Sequence, residues 1–426
     1  MLKVFLKAPI LTQSGYGHHS RTVYRALKTR EDLFDIYVQP IPWGQTSWLW
    51  EDSEERKEID ESLSKTIEFL NRDGKFDVSI QVTIPNEWEH HAPVNIGITA
   101  GIETDKVSPL WLQKCNMMTK VLTISEHSMS SFTDTIYDAV NNQTGEEFKF
   151  ALETPIDYVN YPVRKEEPAD IELDLETDFN FLTVAQMGPR KNLASTIDAF
   201  IDNFRDDENV GLIIKTNMAK NSLIDRLNCS NALQTRLAEL GERKCKVYLL
   251  HGSLSDKEMA ALYTHEKVKA LVSTTHGEGF GLPIFEAAYY GLPVLATDWS
   301  GHLDFLYKKT KQKNGKVKSK HLFGKISYKL ANIPEQCIWE GVLIKESRWA
   351  YPELASVKNN MLEIYKDYGR FKKRAKELQN WVCKEFAEDK IYSQYVESML
   401  EVMPEAGEPD PDAWLSEIEG IVKEYA

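Results

Sequence analysis

The amino-acid sequence predicts an α/β protein with two doubly wound domains that face a central cleft. Short apolar strands alternate with helical segments along most of the chain, which is typical of parallel sheets covered by helices on both faces. The alternation lapses at residues 153–178, where Pro155, Pro162 and Pro168 lie among many charged residues. A chain of 426 residues is long enough for two or three domains that each bury a core. We therefore predict one series of elements on each side of a linker.

In the first series, apolar runs and helical spacing predict the elements in order. The predicted strands are residues 3–6, 35–38, 77–84, 94–99 and 120–124. A loop at residues 14–17 leads into a helix at residues 19–27, and the spacing of Leu63, Ile67 and Leu70 predicts a second helix. Ser125 suits the N-cap of a further helix at residues 129–135.

The second series repeats this pattern after the linker. Its predicted strands are residues 181–185, 210–216, 246–250, 270–273 and 294–296. Helices are predicted at residues 193–204, 256–263 and 283–290, with a polar helix between the second and third of these strands. Ligands of such folds bind at the carboxyl ends of the strands, so we expect the functional residues in the loops that follow them.

Composition excludes several other classes of protein. Hydrophobic residues at 42% and charged residues at 27% are ordinary for a globular chain and argue against disorder, a collagen-like chain or a disulfide-rich miniprotein. Aromatic residues at 11%, with ten Trp, indicate well-packed cores or a surface that grips planar groups or sugars. The net charge is −14, but residues 385–426 hold twelve acids and two lysines, which leaves −4 for the rest. Local patches therefore matter more than the total charge.

The cysteines and the hydropathy indicate the compartment. Five scattered cysteines without CxxC spacing fit a reducing environment and argue against a zinc cluster. No run of about 18 apolar residues suggests a membrane span, and the start of the chain does not have the pattern of a signal peptide. We expect a cytoplasmic protein.

The densest motif is the segment at residues 276–286, which follows a predicted strand and leads into a predicted helix. Gly277, Gly279 and Gly281 let the backbone approach a ligand closely. The free N–H groups of the helix N-terminus offer a seat for a phosphate. Glu278 in the turn and Glu286 in the helix could reach one pocket. Carboxylates there would accept hydrogen bonds from the hydroxyl groups of a sugar or ribose. The glycine spacing alone is equally well explained by a tight turn with solvated glutamates.

The full pattern is more specific. Glu278 and Glu286, separated by seven residues, resemble the E-x7-E signature of retaining glycosyltransferases with the two-Rossmann architecture called GT-B, of the group 1 or family 4 type. This resemblance covers most of the chain. It implies an acceptor-side domain at residues 1–165, a nucleotide-sugar-binding domain at 166–384 and a helix at 385–403 that crosses back to the first domain. The prolines and acidic residues of 404–426 predict an acidic tail after that helix.

A second segment, residues 181–200, agrees with the resemblance. Arg190 and Lys191 lie in the loop before its helix, where two cations can neutralise a diphosphate, although such a pair is also common in ordinary basic loops. The family carries a Lys at the position of Lys191 and an Arg at the position of Gln186. Either Arg190 supplies the missing charge or the leaving group is stabilised less.

The resemblance implies roles for further residues. Ser253 and Leu254 would contact the base or ribose, and the Gly15–Gly17 segment would face the donor phosphates across the cleft. Glu103, which precedes a Pro-x-Trp element, would position the acceptor, although a solvated or structural carboxylate explains it as well. The implied donor-binding residues of the glycine turn are Glu278, Gly279, Phe280, Gly281, Leu282 and Glu286.

The implied reaction is the transfer of a hexosyl or pentosyl group from a nucleotide diphosphate sugar to a hydroxyl group, with retention of configuration. Lys191, Arg190 and the amides around residues 280–282 would stabilise the departing diphosphate. The catalytic residues would be Glu278, Lys191 and Glu103, with no metal and no cofactor beyond the nucleotide sugar. The alternatives are a non-catalytic protein of the same fold that binds a nucleotide sugar or a carbohydrate, and a sugar-nucleotide 2-epimerase.

A lysine run is the remaining feature, and it contains no acid. Its members are Lys308, Lys309, Lys311, Lys313, Lys316, Lys318 and Lys320. The central Asn314-Gly315 pair predicts a hairpin or an exposed loop. An anionic acceptor such as modified DNA would fit these lysines, and so would simple solvation; a glycan or a small molecule is the default acceptor.

Overall fold

The structure of the protein is a computed structural model that describes residues 1–44, 46–50, 52–141, 143–312 and 315–404. The first half of the chain contains the following strands: β1 (Leu2–Ala8), β2 (Phe34–Pro40), β3 (Val78–Val82), β4 (Val94–Ile98), β5 (Lys120–Thr123), β6 (Tyr137–Val140), β7 (Glu147–Phe150) and β8 (Ile156–Tyr158). Its helices are α1 (Gly15–Lys28), α2 (Glu54–Asn71), α3 (Pro109–Cys115) and α4 (Glu126–Thr133). A 3-10 turn spans Pro85–Glu87.

The second half has a similar alternation. Its strands are β9 (Phe179–Val184), β10 (Val210–Thr216), β11 (Lys246–His251), β12 (Val268–Ser273), β13 (Val294–Thr297), β14 (Tyr307–Lys311), β15 (Val317–His321), β16 (Gly324–Ile326), β17 (Tyr328–Asn332) and β18 (Arg348–Pro352). Its helices are α5 (Leu193–Phe204), α6 (Leu223–Glu239), α7 (Asp256–Thr264), α8 (Leu282–Tyr289), α9 (Leu303–Leu306), α10 (Leu354–Lys366), α11 (Tyr368–Glu385) and α12 (Glu388–Leu400). Two 3-10 turns span Pro189–Lys191 and Glu335–Cys337.

Each half is built on a six-stranded sheet in which all neighbouring strands run parallel. The strand orders are β2-β1-β3-β4-β5-β8 and β11-β10-β9-β12-β13-β16. Central strands such as β3 and β13 are buried along their whole length, as expected of a parallel sheet covered on both faces. In both sheets the strand order reverses beside the first strand of that half, β1 or β9, and functional loops gather at such a switch point. The predicted fold class is confirmed.

Several local predictions need correction. The segment from Gly15 to Gly17 is the first turn of α1 and not a loop, because the side chain of Ser14 caps the helix by accepting the N–H of Gly17 at 2.9 Å. The predicted linker contains the edge strand β8 of the first sheet. In α2, the buried side chains are Ile59 and Thr66, whereas the predicted apolar stripe of Ile67 and Leu70 is exposed.

The lysine run forms an antiparallel hairpin of β14 and β15, in agreement with the turn that its Asn-Gly pair predicts. The tip residues 313–314 lie outside the described residues, and so do residues 405–426 of the predicted acidic tail. Within the described ranges, no helix is both long and apolar enough to cross a membrane. The domain boundaries given above remain predictions.

The helix α12 returns from the second half of the chain and packs against α1. The hydroxyl of Tyr395 lies 3.0 Å from Nε2 of His19 and donates to the carbonyl of Val159 at 3.2 Å, and all three residues are buried. At the end of the helix, the buried ammonium of Lys120 on β5 forms an ion pair with Glu401 at 2.5 Å. These polar contacts fix the end of the chain on the first sheet and its helices.

We expect Tyr395→Phe to destabilise this attachment. The change leaves polar atoms of His19 and Val159 unpaired in the core, which costs about 1–3 kcal/mol, and the melting temperature should fall by about 2–4 °C per kcal/mol for folding units of this size. The matched control is Tyr392→Phe on the same helix, because its hydroxyl bonds Glu388, whose side chain is partly exposed. Equal melting temperatures of the two variants in a thermal scan would contradict this role.

Candidate functional site

The glycine turn lies between β12 and α8, at the carboxyl end of the second sheet, and it is pressed against the first half of the chain. A Cβ on Gly277 would lie 2.3 Å from the carbonyl oxygen of Glu103, and one on Gly279 would lie 2.6 Å from that of Ala100. Ser125 also donates a hydrogen bond to the carbonyl of Gly279 at 2.6 Å. These two glycines are therefore required by close approach of main chain to main chain across the cleft.

Glycine is required at position 281 for a different reason. Its φ of +91° places it in the left-handed region as the N-cap of α8, a conformation that residues with a Cβ rarely adopt. Pro283 in the first turn of the helix has no N–H, and the N–H of Ile284 already donates to the carbonyl of Gly281 at 2.9 Å. The amides that this turn offers to a ligand are therefore those of residues 280–282. Phe280 contributes only its backbone here, because its side chain is buried in an aromatic cluster with Tyr161 and Phe305.

The carboxylate of Glu278 is the centre of an ionic network at this turn. Its Oε1 accepts from Nζ of Lys191 at 2.5 Å and its Oε2 from Nη1 of Arg190 at 3.1 Å. Nη2 of Arg190 also lies 3.1 Å from the carboxylate of Glu103, and Nη1 donates to the carbonyl of Gly277 at 2.6 Å. The loop after β9, the turn after β12 and the loop after β4 thus bring together the three residues predicted to be catalytic.

The pKa shifts in this network have opposing causes. Burial alone would raise the pKa of Glu278, but Lys191 and Arg190 outweigh it and lower the pKa to about 2. Burial and the neighbouring charge of Arg190 lower the pKa of Lys191. Burial would lower the pKa of Arg190, but Glu103 and Glu278 raise it. Two cations and two carboxylates are therefore paired, and a diphosphate would compete with Glu278 and Glu103 for the same N–H donors.

Gln186 takes no part in this network. Its side-chain amide donates to the carbonyl of Met218 at 2.7 Å, on an exposed part of the protein. The cation that contacts Glu278 together with Lys191 is Arg190, from the 3-10 turn that precedes α5.

Glu286 lies on α8 and belongs to a separate hydrogen bond. Its Oε2 accepts from the hydroxyl of Tyr263 on α7 at 2.8 Å. Burial raises the pKa of Glu286, the Tyr263 hydroxyl lowers it and the charge of Asp256 raises it again, to a net value of about 7. The residue as a whole is half-buried, and one carboxylate oxygen bonds Tyr263.

The loop after β11 holds the two predicted base-contacting residues, Ser253 and Leu254. Asn221 donates its amide to the hydroxyl of Ser253 at 2.9 Å, and Lys215 donates to the carbonyl of Gly252 at 2.6 Å. These contacts fix the loop at the carboxyl ends of β10 and β11, on the same sheet as the Glu278 turn.

Sequence reasoning missed two residues beside Glu278. The N–H of Glu278 donates to the hydroxyl of Ser300 at 2.9 Å, and the buried His302 packs its Cβ against Gly281. Nδ1 of His302 is buried without a hydrogen-bond partner among the described residues. Both follow β13, and their position after a strand of the parallel sheet is the signal that could have found them.

A buried group of Asp225, Cys229 and His251 has ligand atoms within 4.8 Å of one another and is the group of potential metal ligands found among the described residues. Two of its three members already have protein partners. The carboxylate of Asp225 accepts the N–H groups of Met218 and Ala219 and lies 2.7 Å from Nε2 of His251. The cluster therefore clamps the loop between β10 and α6.

The lysine hairpin is partly neutralised by its neighbours. Lys308 and Lys320 form ion pairs with Glu377 on α11 at 3.1 and 2.7 Å, and Lys309 forms one with Glu126 on α4 at 2.7 Å. Exposed lysines of this strand pair, such as Lys318, remain solvated. These ion pairs weaken the interpretation of the run as an anion-binding patch.

The chain is similar to known proteins over part of its sequence and over most of its fold. Residues 164–318 match the family described as glycosyl transferases group 1. The chain is also 34% identical over 121 residues to the serotype-specific mannosyltransferase WbdA of Escherichia coli. That match covers 28% of this chain but only 13% of the relative, so the chain spans a small part of the length of the curated proteins that it matches.

Solved structures match nearly the whole chain. The Alr3699/HepE protein of Anabaena, solved in complex with UDP and glucose, has a TM-score of 0.58 and 14% identity, with 94% of this chain and 100% of that chain covered. Sucrose-phosphate synthase of Thermosynechococcus elongatus has a TM-score of 0.59 and 12% identity, with 94% and 99% covered. At these identities the likeness shows the fold. Residues 164–318 therefore match the glycosyl transferases group 1, and nearly the whole chain shares the GT-B fold of these solved structures.

Proposed function

We propose that this chain is a retaining glycosyltransferase that moves a sugar from a nucleotide diphosphate sugar to an acceptor hydroxyl group. The observation that carries the proposal is the meeting of Lys191, Arg190 and Glu278 beside the N-terminus of α8. Two cations and a helix N-terminus at one place suit a diphosphate, and the carboxylate suits the hydroxyl groups of the attached sugar.

The comparisons support the choice of donor. UDP and glucose are bound in the Alr3699/HepE structure, and the WbdA relatives are mannosyltransferases. UDP-hexoses and activated mannose are therefore the first donors to test. Neither the family nor the matched proteins supports modified DNA as the acceptor, and the ion pairs of the lysine hairpin give no reason to prefer it.

In the proposed reaction, the bond between the anomeric carbon and the diphosphate oxygen breaks while the bond to the acceptor oxygen forms. Negative charge grows on the leaving diphosphate, and Lys191, Arg190 and the amides at residues 280–282 stabilise it in the transition state. The acceptor proton passes to the departing phosphate oxygen on the same face of the sugar, so the configuration is retained. In this proposal, these side chains and amides stabilise the charge of the leaving diphosphate in the way that a divalent cation would.

The carboxylates hold the neutral parts of the donor. Once Lys191 and Arg190 donate their hydrogen bonds to the diphosphate, Glu278 accepts hydrogen bonds from hydroxyl groups of the sugar. Glu286 accepts the ribose hydroxyl groups through the oxygen that does not bond Tyr263. Glu103, held by Arg190, faces the cleft from the first half and positions the acceptor.

We expect Lys191→Ala and Glu278→Gln to abolish the response to donor. Removal of one preorganised group of this kind costs about 100- to 1000-fold in turnover, so nucleoside diphosphate release should fall by that factor, and the thermal shift caused by UDP-hexoses or activated mannose should disappear. The matched control is Lys75→Ala, which changes an exposed lysine remote in sequence from every site residue. Donor binding by both site variants at the parent's affinity would show that the site is misplaced.

The same assay separates the enzyme from a binding protein of the same fold. A thermal shift with a nucleotide sugar but no nucleoside diphosphate release, with or without a panel of acceptors, would favour the non-catalytic alternative. Release that depends on Glu278 and Lys191 supports transfer.

The raised pKa of Glu286 predicts a pH dependence. Below about pH 7 its carboxyl is protonated and accepts ribose hydroxyl groups poorly, so donor affinity should rise with pH between about 6 and 8. Calorimetric titration of the donor at several pH values tests this. An identical slope of donor affinity against pH for Glu286→Gln would refute it.

The same pKa shift affects stability. Because the pKa of Glu286 is higher in the folded than in the unfolded chain, the free energy of unfolding of the parent should fall, relative to Glu286→Gln, as the pH rises toward 7.

A further inference from the structure

Three tryptophans stand close together in the loop that follows β2, at the carboxyl end of the first sheet. We call residues 41–50, apart from residue 45, the aromatic loop; it holds Trp43, Trp48 and Trp50. The side chains of Trp48 and Trp50 are 47% and 79% exposed. Two indoles exposed within three residues expose apolar surface without stabilising the core, which indicates a binding surface.

The aromatic loop is fixed to the segment that joins β1 to α1. Thr12 and Trp48 form an antiparallel bridge, the N–H of Gln13 donates to the carbonyl of Ser47 at 2.7 Å, and the N–H of Leu49 donates to the carbonyl of Leu11 at 2.7 Å. The exposed indoles therefore stand on a hydrogen-bonded support, and a ligand would not have to order the loop on binding.

A chain of contacts connects this loop to the Glu278 turn. The ring of Trp43 lies 4.4 Å from the ring of Tyr16, centroid to centroid. The hydroxyl of Tyr16 is 2.9 Å from Oγ1 of Thr99 and accepts the N–H of Ala100 at 3.2 Å. The carbonyl of Ala100 is the atom against which Gly279 packs. Through Trp43, the aromatic loop is thus connected to the main chain against which the Glu278 turn packs.

The charges beside the loop select the kind of ligand. Asp52 and Glu54 follow Trp50 by two and four residues and are exposed, and Glu54 forms an ion pair with Lys57 at 2.8 Å. Arg56 donates to the carbonyl of Leu49 in the loop at 2.7 Å and pairs with Asp60 at 2.9 Å, whereas Asp52 forms no ion pair among the described residues. The Asp52 carboxylate can accept hydrogen bonds from hydroxyl groups, and the paired charges of both signs beside it give no net attraction for phosphates, anionic lipid surfaces or nucleic acid. Flat apolar faces combined with hydroxyl acceptors fit the C–H faces and hydroxyl groups of a neutral sugar.

We propose that the aromatic loop binds a neutral saccharide, with Trp48 and Trp50 as stacking platforms, and that this saccharide is the part of the acceptor beyond the sugar that receives the transfer. The acceptor role rests on the proposed function, whereas binding of a saccharide by the loop does not. Trp43 is a positioning residue, because it packs on Tyr16 and sets the loop beside the cleft.

The test uses the full chain and the double variant Trp48→Ala/Trp50→Ala. The probe is an immobilised array of neutral oligosaccharides built from mannose, glucose, galactose and N-acetylhexosamines, followed by titration of the best-bound member with tryptophan fluorescence as the readout. We expect about tenfold or greater loss of affinity in the double variant, because it removes both exposed indole faces. The matched control is Trp339→Ala, an indole that is 57% exposed in the second half.

Donor measurements separate this inference from the proposed function. The double variant should keep the parent's thermal shift with the donor and its rate of donor hydrolysis without acceptor, while its KM for an oligosaccharide acceptor rises and kcat changes little. A parent that binds array sugars through Trp48 and Trp50 but never responds to a donor would contradict the proposed transferase activity and support saccharide binding by the aromatic loop.

Three outcomes would overturn the platform itself. One is a parent chain that binds no neutral oligosaccharide on the array, and another is a double variant that binds them as tightly as the parent. The third is a double variant that loses self-association, or binding to phosphatidylcholine vesicles, while its sugar binding is unchanged, since the indoles would then serve a second copy or a membrane surface.

Discussion

The ionised carboxylate of Glu278, held inside the protein by two cations, is the constraint on which the rest of the site depends. A buried carboxylate without partners would be neutralised or destabilising by several kcal/mol. Lys191 and Arg190 remove that cost, and they do so only because the loops after β9 and β12 end side by side on one parallel sheet. Arg190 extends the pairing to Glu103, so one charged group also connects the two halves of the chain.

The ion pair between Arg190 and Glu103 forms only when the two halves of the chain lie close together, and this explains why the turn contains glycines. Gly277 and Gly279 allow the turn to lie against the main chain of residues 100–103, and a side chain at either position would separate the two surfaces. Asp304 adds a polar contact, since it accepts the N–H of Glu126 and the amide of Asn160 across the same interface. The site is therefore assembled from both halves and shares its charges between them. An anionic ligand that entered it would have to compete with the existing ion pairs.

The sequence by itself was sufficient for the repeating part of the fold, and it singled out the charged residues that meet at the glycine turn. Apolar strands and helical periodicity predicted α5 and β10 with the bounds that the structure has, because a buried parallel strand and an amphipathic helix each leave a local pattern. The spacing of Glu278 and Glu286 and the Arg190-Lys191 pair were visible for the same reason. Strands β8 and β16 were not, because three residues are too few to show a period.

Only the tertiary structure decided which of these residues meet. Glu103 and Arg190 pair across the cleft, the side chain of Phe280 turns into the core while its backbone stays at the turn, and lysines of the hairpin pair with Glu377 and Glu126 on distant helices. The exposure of Trp48 and Trp50 was likewise visible only in the tertiary structure. A sequence pattern reports the periodicity of one segment, whereas contacts between segments far apart in the chain depend on how the two sheets face each other, and no local period records that.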